Sequence, residues 1–416
     1  MLRHPSVSFQ GLALALSIFF YWPIFRVPPR AAVETADDLF AGDTLHDVRL
    51  YIHSRDLQRL RSEYLENTYF PADLVWRHTR VRNVAVRSRG GLATRDSVKP
   101  GFQVDIDRYT PGRTFLGLRA IVLDNLFQDP SMMREALSMS VHARMGQTAM
   151  RESFCRLFVN GEYQGLYAIV EDVDEPFLTR TFGRADGYLF EYQWQQPFHG
   201  DPLGAAFGIY RTLFEARTRE LASNDELYDP VRALFDTASL PDDVATREDL
   251  ARYVDLNQLV TTLALDALLG EEDGLAGLHG MNNFYLYRDA GSTRHSFIPW
   301  DRDRAFKLMG SSIFDRVYEN ALTRRALSYG DLLDRYLRTL EDGARMLSDG
   351  GWLSAEITRL RTLVAQAADA DTRKPYSNED FETAVEFLRE FATVRPARVL
   401  EEVAAYRGMA ANGKIR

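Results

Sequence analysis

Apolar and polar positions alternate through Leu45–Ile52, LHDVRLYI, as in a strand with one face buried. The next stretch, SRDLQRLRSEYLEN, changes period: Leu57, Leu60 and Tyr64 fall at helical spacing behind Ser54, which is placed to cap the helix. VRNVAVRSRGG then predicts a strand that stops at Gly90-Gly91, and alternation resumes in VKPGFQVDIDRY with Phe102, Val104 and Ile106 on one face. Residues 115–123, FLGLRAIVL, predict a further strand. Asp129-Pro130 opens a helix, with Asp129 as its cap and Met133, Leu137, Val141 and Met145 on its apolar face. FCRLFV and EYQGLYAIV flank Asn160-Gly161, the strongest short-range signal of a two-residue hairpin turn. The second strand runs into Glu171-Asp172-Val173-Asp174 and a helix entered at Pro176.

Beyond this acidic connector the period is mostly helical. After the strand GYLFEYQW, the clearest helix follows Asp255, with Leu256, Leu259, Val260, Leu263 and Ala267 at spacings of three and four. It delivers the chain to Glu271-Glu272-Asp273-Gly274 and a glycine-rich loop. Two short apolar runs, NFYLY and HSFIPW, are joined at Asp289–Ser292 and end at Asp301. Residues 313–408 read as helix, interrupted near 370–378. The pattern predicts an α+β chain in two lobes: 45–175 rich in strands with one main helix, and 176–410 largely helical.

At 416 residues the chain is long enough for two lobes and a cleft. A net charge of −9 argues against a general nucleic-acid binder. The single cysteine, Cys155, excludes intrachain disulfides and multi-cysteine metal sites, and its apolar neighbours make it a core residue. The eight histidines form no H-E-x-x-H pair. The apolar run Gly11–Phe25, followed by Val27-Pro28-Pro29, has the length of a signal-peptide core, so residues 1–35 are set aside as a signal peptide or membrane anchor and the domain is expected outside the cytoplasm.

Lysine is confined to positions 99, 307, 374 and 414. Lys99 therefore stands out, because arginine does not replace a lysine required as a compact point charge. With Arg87 and Arg89 it flanks a glycine-bearing hairpin that could close over phosphates, although solvated arginines on a plain hairpin give the same pattern. In the stretch from Gly270 to Phe306, Asp273, Asn283, Asp301 and Asp303 offer the hard oxygen donors that Mg²⁺ and phosphate chemistry require. Basic hairpin, lysine, helix with Glu135, hairpin, connector, then helix, loop and hairpin is the element order of a protein-kinase-like fold. The H-R-D-x-x-x-x-N and D-F-G strings and a Walker A loop are missing.

Four segments in this order resemble the spore coat protein H (CotH) kinase-like family across about 45–408: VAVRSRGG…VKPGFQVDI, FLGLRAIVLDNLFQDPSMMREAL, LFVNGEYQGLYAIVEDVDEPFL and EEDGLAGLHGMNNFYLYR…FIPWDRDRAF. The resemblance implies an atypical kinase that uses ATP with Mg²⁺ or Mn²⁺ to phosphorylate serine or threonine of secreted or envelope proteins. It implies Asp273 as the catalytic-loop aspartate and Asn283 as a metal-binding amide, with Asn282 beside it. Asp301 and Asp303 match the acidic pair of W-D-x-D, one of them binding metal. Lys99 and Arg89 are the phosphate-binding candidates, and Glu135 is the expected partner of Lys99. Lys99 meets Pro100-Gly101 and Lys307 stands where the family usually has glycine. A non-catalytic scaffold of the same fold and a metal-dependent hydrolase are the alternatives.

Overall fold

In the computed structural model, which describes residues 33–91, 94–241 and 244–412 besides Met1, the first half of the chain closes into a barrel. Its strands are β1 (Leu45–Ile52), β2 (Phe70–Trp76), β3 (Thr79–Arg89), β4 (Gly101–Asp105), β5 (Ala120–Asp124), β6 (Glu152–Val159) and β7 (Glu162–Glu171). They are ordered β1-β2-β3-β4-β5-β7-β6, and the barrel closes through a parallel pairing of β1 with β6. Alternation decides what fills it: Val48, Leu50 and Ile52 point inward from β1 onto Trp76, Val104, Leu157 and Tyr167. The β6–β7 turn is as predicted, with Asn160 and Gly161 both left-handed at φ 52° and 86°. Asn160 also ties the turn to β1, accepting from Ile52 N at 2.9 Å and donating to Ile52 O at 2.8 Å.

Helices α1 (Ala36–Leu39), α2 (Ser54–Ser62) and α3 (Arg134–Arg144) belong to this half, and α4 (Glu175–Phe182) leads out of it. Three local expectations are corrected. Ser54 lies inside α2, whose cap is His53. The strand expected over 115–123 starts only at Ala120, because left-handed Leu116 and Gly117 form a turn bridging Phe115 and Leu118. Asp129 is not the residue preceding α3. Left-handed Met132 intervenes, and the Asp129 carboxylate reaches forward to the amides of Met133 and Arg134, both at 2.8 Å.

The rest packs on a second apolar core. Strands β8 (Tyr188–Tyr192), β9 (Phe214–Ala216), β10 (Phe284–Arg288) and β11 (Ser296–Pro299) form an antiparallel sheet in the order β11-β10-β8-β9. Around it lie α5 (Phe207–Leu213), α6 (Asn224–Ala238), α7 (Arg247–Ala251), α8 (Leu256–Leu268), α9 (Ala321–Ser328), α10 (Gly330–Ser348), α11 (Trp352–Ala370) and α12 (Asn378–Ala411). Asp255 caps α8 as expected, accepting from Gln258 N at 3.1 Å. Leu259, Leu263 and Leu388 are buried, and the Phe306 ring meets Phe391 edge-on at 5.2 Å. From Thr35 onward barrel and helices make one compact unit. The segment expected to be a signal or anchor falls on residues 1–35, nearly all of it outside the described residues, and no described helix is long and apolar enough to cross a membrane.

Candidate active site

The loop after α8 is shaped by two buried carboxylates. Asp266 accepts from Leu275 N at 3.0 Å, and Glu271 accepts from Asp273 N at 2.8 Å, which presents the Asp273 side chain away from the helix end. Gly280 is required here: at φ 84° its Cα faces the Phe198 backbone, and a Cβ would lie 2.6 Å from Phe198 N. The chain then enters β10 through Asn283, left-handed at φ 54°, whose carbonyl accepts from Trp300 N at 3.0 Å. Loop and hairpin thereby meet. Asn282 and Asn283 donate their side-chain amides to one Asp273 oxygen at 3.0 and 3.2 Å, and Asn283 also donates to the Asp301 carbonyl at 3.0 Å. Both asparagine oxygens are left to face other partners.

Asp301 and Asp303 do not lie on a continuation of β11. β11 ends at Pro299, and Asp301 turns the chain at φ 51°. Asp301 then lines a cleft with Arg89, Gly90, Asn283 and Trp300, while Asp303 is not part of that lining. Between them Arg302 is fully buried, with Nη2 3.4 Å from Asp266 Oδ1. Its charge sits beside Asp266 and Glu271 and so balances the two acids that shape the Asp273 loop. Burial pushes Glu271 up to about 8 despite Arg302.

Carboxylates are crowded behind the cleft. Burial, then the Asp124 charge, pushes Asp301 up to about 6, against the pull of Arg89. Burial and neighbouring acids hold Asp303 and Glu135 well above the usual carboxylate range: Asp301 and Asp124 act on Asp303, and Glu152 and Asp301 on Glu135. Both Glu152 oxygens are shielded from solvent and accept no hydrogen bond from the described residues. Asp273 is raised by burial, an effect opposed by its Asn282 hydrogen bond and by Arg304. Acids that raise one another in this way favour a proton or a cation among them.

These donors fit a divalent ion. Asn283 and Asp301 offer hard oxygens side by side at the cleft. No three acidic or histidine side chains among the described residues close on one point, which is not a preformed cage. It suits Mg²⁺ or Mn²⁺, which take one or two protein oxygens and complete their shells with phosphate and water. The cleft also carries cationic groups. The Arg89 guanidinium stacks over Trp300 at 4.8 Å and forms no ion pair with the described residues, and Arg95 and Arg217 stand on the same walls.

Lys99 is placed differently from expectation. Its Nζ lies 2.7 Å from Asp371 Oδ2, both side chains are wholly buried, and it is Asp371, not Glu135, that is its partner. Asp371 also accepts from Leu166 N at 3.1 Å and Arg373 N at 2.9 Å, so the pair fastens the approach to β4 onto the α11–α12 loop. Glu135 faces the cleft carboxylates instead. Sequence reasoning missed Asp371, Asp266, Asp124 and Glu152. Of these, only Asp266 carried a signal, as an acid within the apolar run LALDALL.

Residues 86–399 match the family described as CotH kinase protein. The inner spore coat protein H of Bacillus subtilis (strain 168) is 24% identical over 344 residues, covering 80% of this chain and 90% of that protein. Among solved structures, a chain of the Shewanella oneidensis MR-1 toxin–antitoxin HipA, HipB and operator DNA complex is similar at 13% identity and a TM-score of 0.34, over 70% of this chain and 60% of that one. The Golgi casein kinase is similar at 10% identity and a TM-score of 0.30, and its form with Mn/ADP bound at 11% and 0.29, each over 90% of this chain and 77% of that one.

Proposed function

The chain belongs to the CotH kinase protein family, and on that premise we propose that it is an atypical kinase transferring the γ-phosphoryl group of ATP to serine or threonine of a protein outside the cytoplasm. The barrel and the helical half are the two lobes of this reading. Its single strongest support is the hydrogen-bonded meeting of Asp273 with Asn283 and of Asn283 with Asp301, the last two lining the cleft that Arg89 also lines.

Phosphoryl transfer asks a protein mainly for positioning and charge neutralisation. Asp273, fixed through one oxygen by two amides, orients the acceptor hydroxyl with the other and takes its proton. Asn283 and Asp301 would hold the metal, with Glu135 and Asp303 in the carboxylate layer behind. When bound, Mg²⁺ or Mn²⁺ supplies positive charge against the phosphate oxygens. Arg89 neutralises phosphate from the opposite wall, held in direction by Trp300. Lys99 supports this arrangement by fixing the β3–β4 hairpin. Location outside the cytoplasm is supported by the apolar run Gly11–Phe25, and cell fractionation tests it.

Incubation with γ-labelled ATP, metal and an envelope-protein fraction tests the activity. Label is expected on serine or threonine of protein, and lost in Asp273→Asn and Asp301→Ala. Label released only as free phosphate contradicts transfer. One observation favours a second reading, a non-catalytic scaffold: the Lys99 charge is committed to Asp371. A scaffold would show no rise in melting temperature with ATP and Mg²⁺, whereas a kinase binds and is stabilised.

A further inference from the structure

Where α3 begins lies a second recess, lined by Pro130, Arg134, Lys307, Thr383 and Phe387, none of which lines the cleft. Arg134 is 5% exposed, yet its Nε and Nη1 have no hydrogen-bond partner. Its nearest acid, Asp129, stands 3.5 Å from Nε. The Asp129 carboxylate is already saturated: one oxygen takes Ser131 N and Oγ at 2.9 and 2.6 Å, the other the amides of Met133 and Arg134, both at 2.8 Å. Lys307 forms no side-chain hydrogen bond or ion pair among the described residues, and it is lowered first by burial and then by Arg134 and Arg304. The other nearby acids are each engaged through one oxygen. Glu272 accepts from Arg304 Nε at 3.0 Å, and Asp380, also on the recess wall, accepts from Ser377 N and Oγ at 2.8 Å.

Arg134, with two buried donors unmet, and Lys307, with no acid bonded to it, thus face one recess, where Asp129 approaches Arg134 only at 3.5 Å. Buried donors without acceptors and like charges side by side are both unfavourable, and one oxyanion relieves both. A guanidinium fork, an ammonium and the Thr383 hydroxyl match the oxygens of a phosphoryl group, and the Phe387 and Pro130 walls leave room for its ester carbon. We propose that the Arg134–Lys307 recess is a binding site for a phosphate monoester, separate from the cleft and independent of whether transfer occurs there.

Calorimetric titration of the full chain with inorganic phosphate and with phosphoserine, at constant ionic strength and without nucleotide, tests it. The wild type is expected to bind at one such site. Lys307→Gln should weaken binding about tenfold, the loss of one charge-assisted contact. Lys307→Arg should restore most of it, and Arg345→Gln, at an exposed arginine of α10 outside both sites, should leave it unchanged. Heat from both probes, or from phosphoserine alone, supports the proposal. Heat from neither overturns it, as do heat from inorganic phosphate alone, which leaves a site for the free anion only, and binding unchanged in Lys307→Gln. Melting temperatures confirm that each variant is folded.

Discussion

Two cationic side chains on the β3–β4 hairpin have opposite fates. Arg89, at the end of β3, projects over the Trp300 ring into the cleft and has no acid bound to it. Lys99, at the start of β4, is wholly enclosed and paired with Asp371. A hairpin read from sequence shows that both are present, but not which is free to meet a ligand. Burial decides it. A sealed cation has to find its counter-ion within the fold, and an open one keeps its charge for what binds.

Substitutions separate the two roles, and the largest effect is expected at the cleft itself. Asp273→Asn should lower phosphate transfer by about 10²–10⁴-fold, the usual span for losing a general base, with the urea midpoint nearly unchanged. Lys99→Met should act on stability, by about 3–5 kcal/mol, because it strands the Asp371 charge in the interior. Lys99→Met with Asp371→Leu should regain most of that in urea unfolding, which a phosphate-binding lysine would not explain. Arg89→Gln should weaken nucleotide binding about tenfold with little change in melting temperature, the reverse of the Lys99 result.

The smallest effect is one of pH. Asp301 has its folded pKa at about 6 against 3.8 for an ordinary aspartate, so the folded protein holds this proton more tightly. Its contribution to stability is therefore complete below 3.8 and lost as pH rises through about 6. Metal competes for the same carboxylate, so metal affinity should fall about tenfold per unit below the Asp301 pKa. Comparing wild type with Asp301→Asn in metal titrations from pH 5 to pH 7 isolates this dependence, which the variant should lack.

What was legible in the sequence follows contact range. Asn160-Gly161, the Asp255 cap and the β10–β11 hairpin depend on neighbours and were read correctly. The meeting of Asp273, Asn283 and Asp301 lies within one stretch of loop and hairpin, and order along the chain was enough to group them. Lys99 with Asp371 joins positions on opposite ends of the domain, and no local pattern marks Asp371. Closure of the barrel through parallel β1 and β6 has the same origin, since a period of two shows which face is buried and not which strand lies alongside. Left-handed Met132 and Asp301 redirect the chain before α3 and after β11 where no glycine announces a turn.

The most direct measurement is Mn²⁺ binding in the presence of ADP, followed by electron paramagnetic resonance in wild type, Asp301→Asn and Arg89→Gln. The wild type should bind Mn²⁺ together with the nucleotide. Asp301→Asn should bind the metal at least about tenfold more weakly, and Arg89→Gln should keep it once nucleotide is raised to saturation. Equal Mn²⁺ binding by wild type and Asp301→Asn would contradict the assignment of this cleft as the metal and phosphate site.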